Sequence, residues 1–133
     1  MHKGHIKLYS CIDIGCMEKI PQTIQQRIIS LFADKNGCKI VFVTNEDVKS
    51  VKTQFFFKSK LNEKPKVDGF IFFTLDQFCY SGLNLSLIQK IFKLKYDLYF
   101  AKEELILKHN DKNLKNIIQQ IKIFSKIKNR SKN

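Results

Sequence analysis

At 133 residues the chain is long enough for one domain with a buried core and too short for two of ordinary size. A content of 44% hydrophobic and 27% charged residues, with five Gly and two Pro, excludes disordered, fibrous and low-complexity classes. The net charge of +12 rests almost wholly on lysine, since Arg27 and Arg130 are the only arginines; phosphate and base-edge recognition draws on the bidentate Arg fork, so nucleic acid is not the expected partner.

The first apolar segment, residues 6–12, alternates as a strand does. A loop follows, and Pro21 suits the first turn of a helix, where its missing N–H costs nothing. Ile24, Ile28, Leu31 and Phe32 then fall on one helical face, and Asn36-Gly37 supplies a stop. The run Lys39-Ile40-Val41-Phe42-Val43 lacks alternation and reads as a strand buried on both faces. Residues 51–62 read as a helix ended by Pro65, and residues 68–75 as the clearest buried strand.

Leu83, Leu87, Ile88 and Ile91 return to helical spacing. Residues 96–101 and 105–107 read as two further strands. A last helix, capped by Asn110 or Asp111, carries Leu114, Ile117, Ile118, Ile121 and Phe124 at helical spacing. The alternation β-α-β-α-β-α-β-β-α predicts a three-layer α/β fold with a mostly parallel sheet, helices on both faces and a short extra strand near the C-terminus. Residues 1–125 form the expected single domain and residues 126–133 a basic, frayed tail.

No apolar run approaches the ~20 residues of a bilayer-spanning helix, and Met1-His2-Lys3-Gly4-His5 lacks a signal-peptide apolar stretch, so a cytoplasmic location is expected. Cys11, Cys16, Cys38 and Cys79 form no C-x-x-C pair, and His2, His5 and His109 complete no zinc spacing. Reduced thiols, no metal and no cofactor are therefore expected. Dinucleotide, P-loop, hydrolase-elbow and zincin motifs are all missing.

Open α/β sheets bind ligands beyond the carboxyl ends of their strands. That rule gathers Cys11, Asp13 and Gly15 after the first strand and Thr44, Asn45, Glu46 and Asp47 after the second. After the third come Thr74, Asp76, Gln77, Cys79, Tyr80 and Ser81, and after the fourth Lys102, Glu103 and Glu104. Asp13, Asp76 and Glu103 are the candidate catalytic carboxylates, because paired carboxylates can divide acid and base roles. Cys11, Thr74, Gln77, Tyr80 and Ser81 are the candidate ligand contacts. The competing reading gives Asp76 a capping role and Glu103 and Glu104 a turn role. Cys11 and Cys79 have no His placed to activate them and read as packed thiols.

The segment Asp68-Gly69-Phe70-Ile71-Phe72-Phe73-Thr74-Leu75-Asp76-Gln77-Phe78-Cys79-Tyr80-Ser81, then a helix, then Tyr99-Phe100-Ala101-Lys102-Glu103-Glu104-Leu105, resembles two families. One is the serine recombinase (resolvase/invertase) catalytic domain. The nearer is the bacterial sporadic carbohydrate cluster family, small proteins of surface-polysaccharide gene clusters. With that family the chain shares a Tyr-containing first strand, the stretch from Pro21 to Gly37, the Asp-Gly-apolar strand and the Phe-Ala-x-Glu-Glu-Leu segment, in that order.

The resemblance implies a resolvase-like or flavodoxin-like fold in polysaccharide biosynthesis, with a sugar or nucleotide-sugar ligand at the strand-end rim. Recombinase activity is not implied. Asp13 stands where that family has its nucleophilic Ser, Gln77 and Tyr80 stand where two phosphate-holding arginines would be, and no DNA-binding domain is expected. Two readings stay open. One is a protein that binds or acts on the sugar intermediate. The other is an inert module, a homodimer or a partner of another protein or of nucleic acid, docking through the acid-free basic stretch from Gln119 to Asn133.

Overall fold

A computed structural model describes residues 5–13, 20–46, 55–78 and 84–131. The described residues form an α/β fold: β1 (Ile6–Asp13), α1 (Gln22–Lys35), β2 (Cys38–Glu46), α2 (Phe55–Asn62), β3 (Gly69–Phe72), α3 (Leu85–Lys93), β4 (Asp97–Phe100), β5 (Leu105–Leu107) and α4 (Leu114–Ser131), with a 3-10 turn at Leu75–Phe78. The sheet runs β2-β1-β3-β4-β5. Its first four strands are parallel and β5 is antiparallel to β4. No helix among the described residues is long and apolar enough to cross a membrane.

Strand order changes direction between β1 and β3, which pair Leu8 with Gly69 and Cys11 with Phe72. Successive strand residues alternate between two apolar clusters, as the period-2 geometry of a strand requires. Leu8, Ile12, Ile71, Phe73, Tyr99 and Ala101 join Ile29, Phe32 and Ala33 of α1. Tyr9, Cys11, Phe70, Phe72, Leu98 and Phe100 join Leu61 of α2, Leu87, Ile88 and Ile91 of α3, and Ile121 of α4. The side chain of Asn84 caps α3 by accepting from the Leu87 N–H at 3.2 Å.

Two sequence expectations give way. The inward stripe of α1 is Gln25, Ile29, Phe32 and Ala33, while Ile24 and Leu31 are exposed. Gln25 faces inward with its amide Nε2 donating to the Ile20 carbonyl at 2.9 Å, which offsets part of the cost of burying the amide. The second strand is not buried on both faces: Phe42 and Val43 are half-exposed because β2 lies at the edge of the sheet.

The Asp68-Gly69 pair has a structural reason. Asp68 Oδ2 accepts from the Lys7 N–H at 2.7 Å, tying the start of β1 to β3. Gly69 lies opposite Asp97 in the β3–β4 register, so close that any Cβ would strike the Asp97 backbone.

Candidate functional site

The carboxyl end of β3 leads into the 3-10 turn, and a tight turn of residues 101–104 joins β4 to β5. Backbone bonds fix the second against the first: the Ala101 N–H donates to the Phe72 carbonyl at 3.0 Å and the Lys102 N–H to the Phe73 carbonyl at 2.8 Å. Glu104 takes a positive φ of 52°, and its N–H closes onto the Ala101 carbonyl at 3.1 Å. This geometry turns Glu103 toward β3. Its Oε2 accepts from the Thr74 hydroxyl at 2.6 Å and its Oε1 from the Leu75 N–H at 3.0 Å.

Thr74, Asp76 and Gln77 are buried in the same ledge. The Thr74 hydroxyl also accepts from the Asp76 N–H at 3.3 Å. Gln77 Oε1 accepts two backbone N–H groups, Phe73 at 2.9 Å and Thr74 at 3.2 Å, and its Nε2 reaches the Cys11 carbonyl at 3.4 Å. Gln77 thus links the end of β3 to the end of β1 across the switch point. Glu103 spends both oxygens on the turn, which makes it a positioning residue for the ledge.

Replacing Gln77 by Ala strands two buried N–H donors, so a loss of about 2 kcal/mol in unfolding free energy is expected. Urea unfolding measures it, and a loss under about 0.5 kcal/mol would contradict the role given to Gln77.

Of the candidate residues, Thr74, Asp76, Gln77 and Glu103 come together in the ledge. Cys11 is adjacent in the sheet, but its side chain is fully buried in an apolar cluster. Among the described residues Cys11 and Cys38 are buried thiols outside any disulfide. Asp13 ends β1 opposite Glu46 of β2, and its side chain is not among those described. Tyr80 and Ser81, with Cys79, Gly15 and Asp47, lie outside the described residues. On the basic last helix, Lys115 is exposed and Lys122 partly buried, and the side chains beyond Ile123 are likewise not described.

Sequence reasoning missed a titratable cluster at the opposite rim. Asp97 Oδ1 lies 2.7 Å from His109 Nδ1 and accepts the His109 backbone N–H at 2.8 Å. Lys108 Nζ donates to the Tyr99 hydroxyl at 2.9 Å and stands 3.6 Å from Asp97 Oδ2. The partners are neighbours only through the antiparallel β4–β5 pairing, and the Asp97-to-Lys108 separation in sequence carries no motif.

Burial pushes the Tyr99 phenol above its ordinary value, with the Lys108 hydrogen bond pulling the other way. Burial likewise raises the Cys38 thiol and the Tyr9 and Tyr96 phenols. For Lys108 burial acts downward, yet its bond to Tyr99 and the Asp97 carboxylate carry it above the ordinary amine value. In every case the folded state holds its proton more tightly than the unfolded chain. That stability is complete below the unfolded values and is lost as pH rises through the folded ones. The urea midpoint should therefore fall between pH 8 and pH 10.5, and a flat profile would contradict the burial assigned to these groups.

Among the described residues no group of three or more His, Cys, Asp or Glu side chains is arranged to hold a metal ion. The fold and ledge define an α/β protein with a polar shelf at its switch point. Compared with known proteins, the chain matches no family model, no curated protein and no solved structure.

Proposed function

We propose that the chain is a small protein of surface-carbohydrate assembly that binds or acts on a sugar or nucleotide-sugar intermediate at the carboxyl ends of β1 and β3. The observation that carries this reading is the Thr74–Gln77–Glu103 ledge, whose side chains bind one another and the backbone and so hold the strand ends in place for a ligand at the point where strand order reverses. The resemblance to the sporadic carbohydrate cluster family supports it, because the two segments that carry the resemblance are the two that meet here: Glu103 of one grips Thr74 and Leu75 of the other.

The two apolar clusters support a three-layer arrangement with helices on both faces, in the resolvase-like or flavodoxin-like manner. Recombinase chemistry is not proposed. Gln77, which the resemblance sets where that family has an arginine, is spent on backbone amides and so is not available to clamp a scissile phosphate.

Thermal-shift measurement against nucleotide sugars and sugar phosphates tests the reading. A ligand at ten times its Kd adds about 1.4 kcal/mol, which for a chain of this length raises Tm by about 5 °C. Asp76→Asn should remove whatever part of that shift a sugar phosphate or nucleotide sugar gives beyond free UDP or ADP; because Asp76 is buried, each shift is read against the variant's own unliganded Tm. No shift with any of these compounds at millimolar concentration would overturn the proposal.

A further inference from the structure

Four rings stand in a row across one face of the sheet: Phe42 of β2, Tyr9 of β1, Phe70 of β3 and Tyr96 just ahead of β4. Successive centroids are 5.4, 5.8 and 5.0 Å apart. Tyr9, Phe70 and Tyr96 are buried, whereas Phe42 keeps 52% of its surface exposed. The row therefore ends in an open ring at the sheet edge.

That ring borders a cavity of ≈ 590 Å³ whose lining includes Lys7, Phe42, Lys60, Glu63 and Lys66. The volume lies within the range of small-molecule sites. A register shift helps to shape it: Leu8 pairs with Ile40 and Tyr9 with Phe42, so Val41 bulges out of the ladder at the cavity wall. The Tyr96 hydroxyl pins the Pro65 carbonyl at 2.8 Å, holding the loop that carries Lys66.

Three lysines and one glutamate line the groove, leaving an excess of positive charge around the ring. Lys60 stands 3.5 Å from Glu63. Lys7 and Lys66 are exposed, and among the described residues neither makes an ion pair. A neutral sugar could stack on Phe42 but would leave the ammonium groups unused. Inorganic phosphate would use them and leave the ring idle. A ligand that satisfies both joins a planar ring to phosphate, since bases stack on aromatic faces and lysine binds phosphate as a point charge.

We propose that this groove is a binding site for a free nucleotide, its base continuing the aromatic row on Phe42 and its phosphates lying among Lys7, Lys60 and Lys66. A single-stranded nucleic acid offers the same chemistry. The volume of ≈ 590 Å³ suits one nucleotide rather than a run of them. Lys7 is the second residue of β1 and Lys66 precedes β3, so the groove belongs to the amino-terminal half of the parallel strands. The ledge lies at their carboxyl ends, and the two sites can fail separately.

The test is titration of the isotope-labelled full chain with ADP and UDP, followed by amide NMR, beside inorganic phosphate, adenosine and an oligothymidylate. Saturable shifts at Lys7, Phe42 and Lys66 with the mononucleotides are expected, at least tenfold tighter than with phosphate or adenosine. Phe42→Ala and, separately, Lys66→Glu should each weaken binding about tenfold, while Asp76→Asn should leave it unchanged. Both substituted side chains are exposed, and an unaltered Tm confirms that each variant folds. No saturable shift at 10 mM nucleotide, equal affinity for phosphate alone, binding of the oligonucleotide only, or unchanged affinity in folded Phe42→Ala would each overturn the site.

Discussion

Phe72→Ala should lower the unfolding free energy by about 3–5 kcal/mol, the range for truncating a fully buried aromatic ring. Phe72 is 1% exposed in β3, between β1 and β4. Its ring meets Phe78 edge-on at 4.7 Å and stacks on Phe100 at 5.9 Å, and Phe78 meets Phe100 edge-on at 5.7 Å. Removing the central ring leaves a cavity that the other two cannot fill without moving strands. Phe78 also closes the 3-10 turn, so the damage extends to the ledge above it. Urea unfolding gives the measurement, and a loss below about 1.5 kcal/mol would show that the three rings repack freely.

Gly69→Ala should be the second severe change, for a different reason. The added methyl would meet the Asp97 carbonyl oxygen, and the Asp97 carbonyl carbon lies 3.0 Å from its position. The obstacle is backbone, and Asp97 is itself held by His109 and Lys108. Overpacking of this kind costs about 1–3 kcal/mol, and more where neighbours cannot shift. Gly37→Ala is the control: Gly37 has a positive φ of 69° and nothing within 4 Å of an added methyl, so only left-handed strain remains, about 1–2 kcal/mol. Thermal unfolding of the two variants ranks them. Gly37→Ala proving the more damaging would refute the close-approach account.

Much of the architecture was legible because the physical signals are local. The apolar run at residues 69–72, the helical spacing of Leu87, Ile88 and Ile91 and the short strand at residues 105–107 each announce an element, and their alternation announces parallel pairing. The convergence of Thr74, Gln77 and Glu103 followed from the strand-end rule.

What the sequence hides is which partner each group finds. Glu103 reads as a turn residue or an acid, and only the turn geometry shows it accepting from an N–H 28 residues away. The apolar character of Phe42 gives no sign that β2 lies at an edge, because edge position depends on strand order. The helical spacing of α1 placed Ile24 and Leu31 inward, where the structure has Gln25 and Ile29, for a similar reason. An Ile exposed on a helix costs little, and a buried Gln is tolerable once a carbonyl waits for it.

The Glu103 bridge has a mechanical corollary. One carboxylate fastens the hairpin between β4 and β5 to the bend after β3, and two main-chain contacts reinforce the fastening. The hairpin is thereby anchored through both side-chain and main-chain bonds, so that the outermost strand, β5, is tied to the middle of the sheet as well as to its neighbour β4.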